Sequence, residues 1–370
     1  MMSHTPQSGF RLSRRQMIKR CGAGFGALGL TDLIHRNTKA GPPSQSPIVH
    51  FPARAKRVIF LFMNGGPSHV DLFDEKPALA KYAGELPKEK TKRNNKAGYW
   101  PTPFRFKKHG QSGVEISELM PRLASCADDL TVIRSMYADE PNHEPGLLLM
   151  NSGNQQPIRP SLGSWASYGL GSENENLPAF VVLCPGRPVV GPQLWSNAFL
   201  PPQHQGMSLD TNEQDVGKLI ANLNHPVASR REQREQLDLL RQLNQIHSLQ
   251  RNRDMELEAH IKAFEMAFQM QKEASDVFDL NRESRKTRDA YGDTPFGRSC
   301  LMARRLAEAD VRFTQVYYVT KSSKQPWDTH TDNAGGHIKL CRDADQATAA
   351  LISDLKQRGM LDETLVIWGG

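Results

Sequence analysis

Continuous apolar runs recur along the chain and alternate with stretches whose apolar positions return every three or four residues. The runs are Arg57–Met63, Leu130–Arg134, Ala179–Leu183, Val311–Val319 and Thr364–Gly370. A run with no polar face predicts a parallel strand buried on both sides. Helical spacing predicts helices near Ser117–Cys126, after Asn142 up to Gly153, at Ser161–Tyr168, at Phe296–Ala309 and at Asp343–Arg358. Strands and helices in alternation predict an α/β fold, a doubly wound and mostly parallel sheet flanked by helices.

Two stretches break the alternation. Residues 84–113 are basic and poorly periodic, with Lys88–Lys96 at their centre, and read as a solvated surface excursion; 189–227 are rich in Pro, Gly, Asn and Gln and read as an irregular covering segment. Residues 228–274 are strongly helical, with breakers at Asn252–Asp254. Leu239, Leu243, Ile246 and Leu249 mark one apolar face, and Leu257, Ile261, Phe264 and Phe268 mark another. This predicts a helical hairpin inserted in the domain and laid on the sheet, with a partner-binding coiled coil as the other reading.

Composition changes the picture mainly at the amino terminus. With 370 residues and 38% hydrophobic content the chain can bury a large core, while its formal charge of +7 raises the question of nucleic acid. Arg11, Arg14, Arg15, Lys19, Arg20, Arg36 and Lys39 stand against the single acid Asp32 in the first 40 residues, so the positive balance belongs to the leader. No recognisable nucleic-acid module follows Tyr99, Trp100, Phe104 and Phe106, and no nucleic-acid partner is expected.

The leader itself, Ser13–Lys19 followed by the weakly apolar run Cys21–Leu30, resembles a twin-arginine export signal. Residues 1–40 are therefore expected to be a signal peptide handled by the twin-arginine translocase, 41–54 a linker, and 55–370 the α/β domain, periplasmic or extracellular. The apolar run is too short for a stable membrane span. Cys126, Cys184, Cys300 and Cys341 are widely separated, which is neither a zinc-finger nor a disulfide-scaffold pattern.

Candidate chemistry gathers at predicted strand ends. Trp327–His337 packs Asp328, His330, Asp332 and His337 with two glycines between a strand and a helix. Such groups can supply metal ligands or an acid/base pair, and the same residue types also cap helices. The first strand runs into Asn64-Gly65-Gly66-Pro67-Ser68-His69-Val70-Asp71, which lacks the Gly-Lys-Ser/Thr of a phosphate loop but offers Ser68, His69 and Asp71 to the same crevice as substrate-binding groups. His143 stands at a loop-to-helix junction.

With these elements in place, Asn64–Asp71, Arg159–Trp165, Phe296–Leu306, Trp327–His330 and Asp354–Gly370 resemble the planctomycete-type family catalogued as domain of unknown function 1501, a presumed branch of the alkaline phosphatase/sulfatase superfamily. The resemblance implies an alkaline phosphatase-like sheet with divalent metal ions (Zn, Mn or Ca) at its strand ends. Asn64 takes the position of an aspartate ligand in related sulfatases. His143-x-Pro145-Gly146, reaching Ser152-Gly153, matches the spacing of the sulfatase nucleophile segment, so His143 occupies the nucleophile's place. Gly336-His337 fits a metal- and substrate-binding position, with Asp328, His330 and Asp332 competing for the carboxylate role.

The activity implied is that of an exported metal-dependent hydrolase acting on a phosphate or sulfate ester of a small molecule or glycan. The alternative is a catalytically degenerate relative that binds an anionic ligand or glycan without turnover. In the superfamily the strand matching Thr364–Gly370 continues into an acidic ligand, so the chain is expected to be truncated at its carboxyl end.

Overall fold

The computed structural model describes residues 53–87, 98–220, 229–250, 264–271 and 276–370, and for 245–250 the backbone alone. The leader, most of the linker, Lys88–Lys96, Asn252–Asp254, Leu257 and Ile261 lie outside the described residues.

The apolar run at Arg57–Met63 forms β1, and its alternation builds both layers of the core. Ile59, Leu61 and Met63 face a cluster that includes Leu301, Leu306, Ala347 and Leu351, while Phe60 and Phe62 face Leu147, Leu148 and Ala166. A strand buried on both faces needs apolar residues at every position, and each side chain so buried contributes about 1.5–3 kcal/mol.

The other elements, in chain order, are α1 (His69–Leu72), α2 (Pro77–Lys81), β2 (Phe106–His109), β3 (Val114–Ser117), α3 (His143–Ser152), α4 (Leu162–Leu170), β4 (Phe180–Leu183), β5 (Met207–Leu209), α5 (Val216–Leu219), α6 (Arg230–Gln250), α7 (264–271), α8 (Arg285–Tyr291), α9 (Pro295–Glu308), β6 (Phe313–Tyr318), α10 (Asn333–Gln357) and β7 (Thr364–Gly369). Among the described residues the main sheet has the order β5-β4-β6-β1-β7, and every neighbouring pair is parallel. Helices α9 and α10 cover one face and α3 and α4 the other, so the sheet is wound on both sides. The carboxyl ends of β6, β1 and β7 lie side by side, where an open parallel sheet forms its crevice.

Several predicted elements take a different form. The helix expected at Ser117–Cys126 is replaced by β3, paired with β2, and by a tight 3-10 turn at Leu123–Asp129. Leu130–Arg134 joins no sheet; Thr131 and Ile133 are exposed, and Arg134 is tied to the Phe73 carbonyl (2.8 Å). An apolar run without a neighbouring ladder does not make a strand. The segment read as irregular covering contains β5, whose three residues are too few for a periodicity to register. The excursion at 84–113 likewise contains β2.

Helix α10 begins ten residues earlier than the spacing predicts. Gly335 and Gly336 weaken a helix by propensity, but Asp332 caps it by accepting from the Gly335 N–H (2.9 Å). A Cβ on Gly336 would lie 2.5 Å from Thr329 Cγ2, so the glycine is needed for the loop to cross the helix start.

The hairpin arms α6 and α7 meet through Arg234 and Glu265 (2.9 Å), with Arg230 and Arg234 over the Phe268 ring. Of the apolar face expected on α6, Leu239 and Leu243 are more than half exposed, while the side chains of Ile246 and Leu249 lie outside the description. Cys126, Cys184, Cys300 and Cys341 are buried free thiols. Among the described residues no helix is long and apolar enough to cross a membrane.

Candidate metal centre

Two loops converge at the carboxyl ends of β1 and β6. One carries Asp328 and His330 between β6 and α10; the other leads through Asn142 into α3, whose first residue is His143. Asn142 has extended backbone angles (φ −97°, ψ 145°), which turns the chain so that His143 opens the helix at the crevice. His143 Nε2 lies 3.0 Å and His330 Nε2 2.7 Å from the same atom, Asp328 Oδ2.

Among the described residues, ligand atoms of these three side chains all lie within 4.8 Å of one another. Their side chains are 40% (His143), 25% (Asp328) and 74% (His330) exposed, so the cluster is open to solvent. Tetrahedral ligation with zinc bond lengths of about 2.0–2.1 Å places donor atoms about 3.3 Å apart. Both imidazole nitrogens lie near that separation from Asp328 Oδ2, so the three side chains could together hold one divalent ion. Without an ion the same geometry is held by two Nε2–H groups donating to one carboxylate oxygen.

Helix α3 presents its amino terminus at this cluster. Asn142 makes no side-chain cap bond; Pro145 has no N–H and the Gly146 N–H donates to the Asn142 carbonyl (2.9 Å), so the His143 and Glu144 N–H groups are the ones the helix leaves without an internal partner, and the Glu144 carboxylate sits in the same turn.

The remaining predicted site residues lie apart from this cluster and have other partners. Asp332 is the cap of α10. His337 is almost wholly buried on α10 and makes a T-shaped contact with the Trp327 ring. Its Nε2 accepts from the Ser68 N–H (3.0 Å), so the ring proton sits on Nδ1, which donates to the Asn333 carbonyl (2.9 Å). Burial holds its pKa below the usual histidine value. Asp71 is buried and accepts from Asn333 Nδ2 (2.8 Å), while His69 is exposed. Ser68, Asp71 and His337 thus form the seam between α1 and α10.

Asn64 is fully buried at the end of β1, with Nδ2 donating to the Lys324 carbonyl. Sequence reasoning did not single out Asn333, which bridges Asp71 and Thr329, nor the close backbone approach at Gly65. The Asn-Gly-Gly run after a buried strand was the available signal for the second.

A family model described as "Protein of unknown function (DUF1501)" matches residues 55–370. Neither the curated proteins nor the solved structures contain a match.

Proposed function

The chain belongs to the DUF1501 family, and from the geometry of its strand-end cluster we propose that it is a metal-dependent hydrolase acting on a phosphate or sulfate ester. The observation that carries this reading is the convergence of His143 Nε2 and His330 Nε2 on Asp328 Oδ2. The two histidines come from separate segments and meet at the ends of a parallel sheet, beside a helix amino terminus without a side-chain cap.

In this reading His143, Asp328 and His330 hold one divalent ion, and His143 is a ligand and not the nucleophile. Bound there, zinc supplies Lewis-acid polarisation of an ester oxygen. The chain's own contribution would be to hold the ion through these three side chains and to offer the His143 and Glu144 N–H groups at the start of α3 to the anionic oxygens of the ester. The α/β sheet is compatible with the alkaline phosphatase/sulfatase superfamily, and the Arg14-Arg15 leader supports export through the twin-arginine route.

A second reading, an anionic-ligand or glycan binder without turnover, is favoured by one specific observation. Asp332 is engaged as a helix cap and Asn64 donates to a loop carbonyl, so the cluster has one carboxylate where a two-metal site needs several.

Hydrolysis of aryl phosphate and aryl sulfate by zinc-loaded protein, compared with His143→Ala and Asp328→Ala, tests the enzyme reading. Turnover that both substitutions abolish supports it. Zinc binding with no turnover of either ester transfers the case to the binder.

A further inference from the structure

The ligand loop is shaped from outside, by the end of β1. The Asn64 carbonyl accepts from the Trp327 N–H (3.1 Å), and Asn64 Nδ2 donates to the Lys324 carbonyl (2.6 Å). These bonds fasten both ends of the turn Lys324-Gln325-Pro326-Trp327, and the Asp328 N–H closes it onto the Gln325 carbonyl (3.1 Å). Gly65 has φ +109°, and a Cβ there would stand 2.5 Å from Asp328 N and 2.9 Å from Trp327 N. The backbone after β1 therefore lies directly against the backbone that carries the carboxylate.

Trp327, at 1% exposure, anchors the same turn in the core against Tyr318, His337 and Trp368. Asn64 Oδ1 is buried and has no hydrogen-bond partner, which leaves Nδ2 as the bonded end of the side chain.

We propose that Asn64 is a positioning residue for the metal centre: by donating from Nδ2 to Lys324 it fixes the turn that aims the Asp328 carboxylate at His143 and His330. This rests on the reading of those three residues as ligands. The chemistry of asparagine makes the inference separable from a direct ligand role. An aspartate at position 64 keeps an oxygen at Oδ1 but sets a carboxylate oxygen against the Lys324 carbonyl, where the bond becomes a repulsion. A ligand oxygen is improved by the added charge, whereas a loop clamp is destroyed by it.

The experiment compares wild type, Asn64→Asp and Asn64→Ala by cobalt(II) titration, read in the visible ligand-field bands. Long-range nitrogen NMR of the histidine rings in metal-free protein is recorded alongside. Both variants are expected to weaken cobalt binding by about tenfold or more, to alter the band shape, and to shift the Nε2 resonances of His143 and His330. Equal or tighter binding by Asn64→Asp overturns the proposal. If Asn64→Asp does not fold, Asn64→Ala decides alone, and unchanged affinity there overturns it. If wild type takes up no cobalt, the ligand reading fails by itself. The metal-free ring resonances then decide the clamp: a shift in the variants sustains it and unchanged resonances refute it.

Discussion

His337 and Ser68 are joined across the seam of α1 and α10, the imidazole Nε2 accepting the Ser68 backbone N–H at 3.0 Å. A protonated ring has no lone pair to offer there, so this contact requires the neutral form. Unfolded histidine titrates at about 6.5, and burial, the largest influence, lowers the folded value despite the Asn333 carbonyl and the nearby Asp71.

The unfolded chain then binds more protons between the two values. The contribution of His337 to stability is complete above the unfolded pKa and is lost as pH falls toward the folded one. Thermal melts between pH 7 and pH 5 should show a fall in midpoint for wild type that is shallower in His337→Gln. Identical slopes would show that the ring does not set this dependence.

Asp345 performs a comparable task at the middle of α10. Its buried carboxylate accepts from the N–H groups of Arg122 (2.9 Å) and Leu123 (2.7 Å), which start the tight turn after β3. Burial raises its pKa, and these two bonds oppose the rise. Asp345→Ala leaves both donors unpaired and should cost about 3 kcal/mol, with Asp345→Asn intermediate. Denaturant unfolding measures both, and a loss under about 0.5 kcal/mol, the range of ordinary surface substitutions, would show that the turn does not depend on the carboxylate.

The exposed face of α6 predicts the opposite behaviour. Leu239 is 57% and Leu243 53% exposed. Replacing both with glutamate should change stability by no more than about 0.5 kcal/mol each, because neither is packed in the core. A loss of several kcal/mol on unfolding would mean that this face is covered in solution.

How much of this was readable beforehand varies from element to element for physical reasons. β1 is legible because double-sided burial leaves no polar position in the run from Val58 to Met63. β5 is not, since Met207–Leu209 holds its edge position with three residues and one of them buried. The start of α10 is hidden by the two glycines, whose poor propensity is overridden by the Asp332 cap.

At the site, residue types announce metal chemistry, but Asp328 and Asp332 look equivalent in the sequence. Three-dimensional partners separate them: Gly335 N–H engages Asp332, and two imidazoles face Asp328. Nothing in local spacing reveals that His337 has both nitrogens engaged by backbone groups.

The most direct measurement is anomalous diffraction at the zinc edge from crystals of the protein grown with zinc. One strong peak is expected within bonding distance of His143 Nε2, Asp328 Oδ2 and His330 Nε2, absent in crystals of Asp328→Ala. A zinc-saturated crystal with no peak at these atoms, or with its peak at Asp71 and His337 instead, would contradict this expectation.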